Sequence, residues 1–279
     1  PPVSTNPNSG SITYNRDTYM RKFDYTYWSS PVEMQTLALL SPGTLSDKYF
    51  WFDSSQFVYN WVNVAAPATT VMDIAKGYII RAPQTFPTNT LTAFQANFIG
   101  KPNNGDYTVT INKYGANDLN LIGNPYPSAI SADLFIAQNP SAFSLTGTTG
   151  GTTLYFWTHK TLYTGGSYLA SDFTAYNFTG GTSGSGTAGA SQPDVLQVPD
   201  GNIAAGQSFV VKGVLTGSNT ATFKNSMRIA GNNLNFFSNH NRMINNEFAQ
   251  AKSELMRIQN LERNRIWLQM TSADGGFKE

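Results

Sequence analysis

Apolar residues along this chain alternate with polar ones in short runs, broken at close intervals by Gly, Pro, Asn and Ser. A period of two marks half-buried β-strands rather than helices. Residues 23–28 alternate in this way, and Ser29-Ser30-Pro31 ends the run. Strands are predicted next at 48–53, 57–64, 77–81 and 93–99. Asn103-Asn104-Gly105-Asp106 predicts a turn, since Asn and Gly tolerate positive φ, and with it a hairpin that 107–111 completes. Further strands are expected at 119–123, 154–158, 209–212 and within 221–229. Asn124-Pro125-Tyr126-Pro127 must turn, because two prolines forbid both helix and central strand. Ser131 is placed to cap one helical turn at 131–136. Helical spacing over several turns governs 243–260, with Phe248, Ala251, Leu255 and Ile258 on one face, before 265–270 returns to strand and Asp274-Gly275-Gly276 to a hairpin turn.

The pattern also occurs twice. Tyr49-Phe50-Trp51 returns as Tyr155-Phe156-Trp157, and Ile74-Ala75-Lys76-Gly77 as Ile203-Ala204-Ala205-Gly206. Tyr78-Ile79-Ile80-Arg81 returns as Phe209-Val210-Val211-Lys212, Thr92-Ala93-Phe94 as Ala221-Thr222-Phe223, and Asn103-Asn104 as Asn232-Asn233, in the same order. An ordered echo predicts two copies of one structural unit. The expected fold is all-β. Two tandem duplicated modules, sandwich-like or jelly-roll-like, are expected at 23–113 and 117–240. A polar lead-in at 1–22 precedes them, and a Gly/Ser/Thr-rich surface loop at 178–191 lengthens the second. A short helical linker at 241–262 follows, then the first hairpin of a third β-domain at 263–279.

Composition narrows the function classes. The net charge is +1 and only 13% of residues are charged, about half the ~25% of ordinary domains. Neither nucleic acid nor an anionic membrane is an expected partner, and no apolar run is long enough to span a bilayer. There is no cysteine, so disulfides and thiolate metal sites are excluded. The chain opens Pro1-Pro2-Val3, which suggests a fragment or processed form. Low charge with abundant Thr, Asn, Gly and Tyr suits a secreted bacterial β-protein.

Candidate chemistry is sparse. The aromatic triplets put rings on both faces of a strand, as in a strand buried on both sides; exposed, Trp28, Trp51, Trp61 and Trp157 would form a sugar-stacking platform. Gly77 and Gly206 are read as turns whose backbone conformation other residues cannot adopt. The histidines, His159 and His240, share no metal-like spacing. Ser171 and Asp172 lie too near His159 in sequence to argue a triad, and no nucleophile elbow occurs. The aspartates are scattered singly, so no spacing marks the carboxylate pair of a glycosidase. No cofactor is expected; a calcium ion held by an Asp and backbone carbonyls in a loop stays open.

Gly123-Asn124-Pro125-Tyr126-Pro127-Ser128-Ala129-Ile130, followed by Ala132-Asp133, resembles large surface proteins of Bacteroidetes exported by the type IX secretion system. Tyr155-Phe156-Trp157, the stretch from Gly201-Asn202-Ile203 to Phe209, and Phe223-Lys224-Asn225-Ser226-Met227-Arg228 fit the same group. Arg263-Asn264-Arg265-Ile266-Trp267-Leu268, with Gly275-Gly276-Phe277-Lys278, looks like the opening of that system's C-terminal sorting domain. The resemblance implies a secreted or cell-surface, adhesin-like protein, non-catalytic, with Asn124, Pro125, Tyr126 and Pro127 as a structural motif. It implies the type IX machinery as a partner through the rest of the sorting domain, and a surface glycan or protein as ligand. The alternative is a carbohydrate-binding module accessory to a secreted hydrolase, with Trp28, Trp61 and Trp157 as the rings that stack on sugar.

Overall fold

A computed structural model describes residues 6–55, 60–143, 152–184, 198–233, 236–237, 270–271 and 277–278. Residues 1–240 form one compact unit and 241–279 a second. In the first, the chain runs through β1 (Ile12–Met20), β2 (Tyr25–Trp28), the single helical turn α1 (Leu37–Leu40), β3 (Tyr49–Phe52), β4 (Trp61–Asn63), β5 (Tyr78–Arg81) and β6 (Thr92–Gly100). It continues through β7 (Tyr107–Lys113), β8 (Leu119–Gly123), β9 (Ala129–Ser131), α2 (Ala132–Ala137), α3 (Pro140–Phe143), β10 (Leu154–Trp157), β11 (Phe173–Asn177) and β12 (Gly180–Thr182). The strands β13 (Asn202–Ile203), β14 (Ser208–Lys212), β15 (Gly217–Phe223) and β16 (Arg228–Ile229) complete it. The fold is all-β, and among the described residues every strand pair is antiparallel.

Two sheets organise the unit. One has the order β2-β5-β3-β4, the other β8-β14-β10-β11 with β12 added at the edge. Each is backed by a two-stranded ribbon, β1-β6 for the first and β7-β15 for the second. Trp28, Tyr49, Tyr78, Ile80, Ala96 and Phe98 fill the core behind the first sheet. Ile122, Phe156, Phe209, Val211, Ala221 and Phe223, with Phe135 and Phe143 from the helices, fill the larger core behind the second. The opposite faces of the two sheets meet in a third cluster built on Tyr27, Ile79, Leu121, Trp157 and Val210.

The pairing departs from the expected hairpin. β6 pairs along its whole length with β1, and β7 with β15; β6 and β7 are not partners. The Asn103–Asp106 segment does turn the chain, but it passes it from one half of the unit to the other. Residues 1–22, read as a lead-in, therefore hold a nine-residue strand that closes the first core. Its inward positions include Arg16 and Thr18, which hid the alternation. Within 178–191, residues 180–182 form β12, a strand whose Gly-Gly-Thr sequence carries no apolar signal.

The echo survives with shifted registers. Phe50 stands opposite Ile79 in the first sheet and Tyr155 opposite Val210 in the second. Tyr49 and Trp51 face the core behind their sheet, as do Leu154 and Phe156, while Phe50, Phe52, Tyr155 and Trp157 face the shared cluster. The position matching Tyr49 is thus Leu154, not Tyr155. A one-residue slip in a strand moves every side chain to the other face, so the letter match of the two triplets misaligns them. Likewise the left-handed residue before β5 is Ala75, φ 64°, and its counterpart before β14 is Gly206, φ 79°. Gly77 is required for another reason: a β-carbon there would run into the Leu121 side chain. The matched Asn104 and Asn233 have unrelated side-chain partners, Asn8 and Asn225 for the first and Ala205 N and the Tyr14 hydroxyl for the second.

In the second unit, Met270–Thr271 and Phe277–Lys278 pair antiparallel as β17 and β18. The helix expected at 243–260 and most of the strand expected at 265–270 lie outside the described residues.

Candidate functional site

Between the faces that the two sheets turn to each other opens a cleft of about 780 Å³. One wall carries Tyr25 and Tyr27 of β2, Phe50 and Phe52 of β3, and Trp61 of β4; the other carries Tyr155 and Trp157 of β10 and Phe173 of β11. Tyr168, from the loop before β11, completes a lining with nine aromatic rings. Alternation puts them there: in each strand every second residue points into the cleft while its neighbours fill a core. The walls repeat one motif. Phe52 and Trp61, cross-strand partners, meet edge to face with centroids 5.0 Å apart at 76°. Trp157 and Phe173, also cross-strand partners, do the same at 4.9 Å and 66°. Tyr27 bridges the walls, stacked on Trp157 at 5.9 Å and 20°.

The rings differ in accessibility. Trp157 is 4% exposed and Trp61 39%. Tyr168, 42% exposed, stacks on Tyr163 and donates its hydroxyl to Phe23 O at 2.6 Å, which fixes it at the cleft. Burial drives the phenol pKa values of Tyr25, Tyr27 and Tyr168 upward, so these rings stay neutral at physiological pH. Apart from the phenols, the polar side chains of the lining are Asn117, Asp118 and Lys212; Asp118 Oδ2 and Lys212 Nζ lie 4.0 Å apart.

The predicted rings divide between this cleft and the core. Trp61 and Trp157 line the cleft. Trp28, 1% exposed, points to the other side of its sheet, stacked on Phe236 at 5.0 Å and packed on Phe98. It cannot reach a ligand in the cleft, because its position in β2 is one step out of phase with Tyr27. Trp51 also faces that core and carries Lys76 Nζ 4.1 Å above its ring. The sequence reading missed Tyr25, Tyr27, Phe52, Tyr168 and Phe173. None of them is a tryptophan, and the alternation of 23–28 is the sequence signal that sets Tyr25 and Tyr27 on one face.

The Asn-Pro-Tyr-Pro segment is structural. Asn124, buried, donates to Ser128 O and Ile203 O and accepts from Tyr126 N, holding the turn closed. Pro125 O accepts from Asn103 Nδ2, and Tyr126 donates its hydroxyl to Gly105 O with Arg228 stacked over its ring. Pro127 completes the turn into β9.

The titratable residues near β10 do not form a triad. His159, buried and at φ 40°, sets Nε2 2.9 Å from Tyr19 O, within reach of an Nε2–H donor, and Nδ1 3.4 Å from Tyr25 O, so its ring faces backbone carbonyls and no nucleophile. Asp172 accepts from Thr161 N and Thr161 Oγ1. Arg21, beside them, pairs with Asp24 at 2.9 Å and donates to His159 O. Among the described residues no three of His, Cys, Asp and Glu gather in a group able to hold a metal ion, and no helix is long and apolar enough to cross a membrane.

A family described as "Domain of unknown function (DUF8693)" matches residues 3–279. No curated protein and no solved structure matches the chain.

Proposed function

The chain belongs to the DUF8693 family, and we propose that it is a non-catalytic recognition module of a secreted or cell-surface, adhesin-like protein exported by type IX secretion. Its recognition site is the aromatic cleft. The observation that carries this reading is the lining: among the described residues it has nine rings and one carboxylate, Asp118, which lies next to Lys212. Acid–base hydrolysis of a glycoside needs two carboxylates across one cleft, whereas binding needs apolar surface and a few polar groups. The Gly-Asn-Pro-Tyr-Pro-Ser turn and the Arg-Ile-Trp-Leu segment support the export route. We also read the two sheets as copies of one unit, supported by their common strand order and by matching contacts between them: Ser29 N donates to Gly206 O and Gly123 N to Ala75 O, both at 2.9 Å.

The alternative, a carbohydrate-binding module, is favoured by one observation: Trp61 and Trp157 share the cleft with Asn117 and Asp118. One experiment tests both. The purified chain and its Trp61→Ala variant are applied to arrays of glycans and of extracellular-matrix proteins, and glycoside turnover is assayed in parallel. Binding weakened by Trp61→Ala, without turnover, is the expected result. Turnover of any glycoside would end the non-catalytic reading, and binding indifferent to Trp61 would move recognition away from the cleft.

A further inference from the structure

The chemistry of the cleft says more than that it binds. We propose that it takes a free small molecule with a flat, ring-bearing apolar body and one polar end, the body among the rings and the polar end at Asn117, Asp118 and Lys212. This rests on the reading of the cleft as a recognition site.

Three features select that ligand. The first is size: about 780 Å³ falls in the range of pockets that enclose most of a drug-sized molecule. The second is ring geometry. The Phe52–Trp61 and Trp157–Phe173 pairs are edge to face, and Tyr25 meets Phe50 and Tyr168 in the same manner. A further ring entering such a lining finds the offset and edge-to-face partners that π-systems prefer. The third is where polarity sits. The charged groups of the lining, Asp118 and Lys212, gather in one place beside Asn117; its other polar groups are phenols, of which Tyr168 spends its hydroxyl on Phe23 O. That pair is loose at 4.0 Å, with Lys212 half exposed, so a polar substituent can approach either partner. A pyranose carries hydroxyls all round its rim, and each one buried without a partner weakens binding. A molecule with polarity at one end leaves no such group stranded. At the mouth, Trp61, Leu119, Tyr168 and Leu169 are exposed together, apolar surface that a soluble fold leaves in water where something is to cover it.

The test titrates the whole chain with 2-naphthol as the flat ligand with one polar end. Cellohexaose is the sugar probe and N-acetyltryptophanamide the ring as a peptide carries it. Calorimetry and tryptophan fluorescence are the readouts. Trp61→Ala and Leu119→Trp alter the mouth, one removing a wall and one filling the space; both positions are exposed, and melting temperatures check that the variants are folded. Saturable 2-naphthol binding is expected, weakened about tenfold by Trp61→Ala and blocked by Leu119→Trp. Absence of saturable binding, or binding that neither variant changes, overturns the proposal. Cellohexaose bound in a Trp61-dependent way overturns the ligand class while sparing the recognition site. N-acetyltryptophanamide bound more than tenfold tighter than 2-naphthol overturns the small-molecule source. Silence with every probe overturns this proposal, while the Trp61 dependence of array binding decides the placement of recognition in the cleft.

Discussion

At Gly123 there is no room for a β-carbon. One placed there would lie 2.7 Å from Ser29 Oγ and closer still to Ser29 Cβ. Ser29 follows β2 as Gly123 ends β8, so matching positions of the two sheets face each other and one of the two must be glycine. Gly123→Ser is expected to destabilise the chain by about 1–3 kcal/mol, as overpacking does. With Ser29→Gly in the same chain, the loss should be smaller than the sum of the single changes, since the two side chains compete for one space. Urea unfolding of the four species measures this; additive losses would show that the contact is not shared. His159 supplies a second residue-scale prediction. Burial foremost, with Arg21 adding to it, lowers its pKa below the ordinary 6.5 against the pull of Asp24 and of the Tyr25 and Tyr19 carbonyls. The folded state therefore holds fewer protons there than the unfolded state. Its stability contribution is present above pH 6.5 and is lost as pH falls from there through the depressed folded pKa. Asp172, whose pKa burial raises, acts in the opposite sense in the carboxylate range. Stability should fall between pH 7.5 and 5.5 in the native chain, and fall less in His159→Gln.

At the scale of elements, β1 decides more than its sequence advertised. Its inward side offers Tyr14, Arg16 and Thr18, of which Arg16 is held by Ala205 O at 3.1 Å, Asn233 O at 2.6 Å and the Tyr14 hydroxyl. A buried guanidinium satisfied by carbonyls stands where an alternating pattern asks for an aliphatic residue, so periodicity alone could not find the strand. β1 supplies the whole hydrogen-bonding partner of β6. Deleting residues 1–21 is therefore expected to abolish cooperative unfolding, as followed by near-UV circular dichroism; a chain that still unfolds sharply would restore the lead-in reading. The β6–β7 hairpin failed for a complementary reason. A turn signal reports that the chain bends, and pairing is settled by which strand offers a long matching edge. β15, more than a hundred residues away, offers it to β7 in seven consecutive pairs.

At the scale of the molecule, each half's core is completed by residues of the other. The cluster behind the first sheet includes Ala204 and Phe236 from the second half, and the cluster behind the second includes Ala75 from the first. Residues 1–104 and 105–240, expressed separately, should each be unfolded or aggregated and should regain the native near-UV spectrum on co-refolding. Two independently folded halves would contradict this. The same interlocking sets what the sequence could and could not tell. The all-β class, the strands at β2, β3, β5, β8, β10 and β14, and the Ser131-capped helix were legible by themselves, because alternation, proline and capping act within a few residues. So was the existence of an echo. Its register was not: Tyr49 and Tyr155 share a letter and face opposite sides of their sheets, and only pairing with β5 and β14 shows it. Nor was the cleft legible, since Trp28 and Tyr27 are neighbours in the chain and partners of different spaces. Local pattern says that a strand has two faces; which face meets a core and which a cavity is decided by the other elements that pack there.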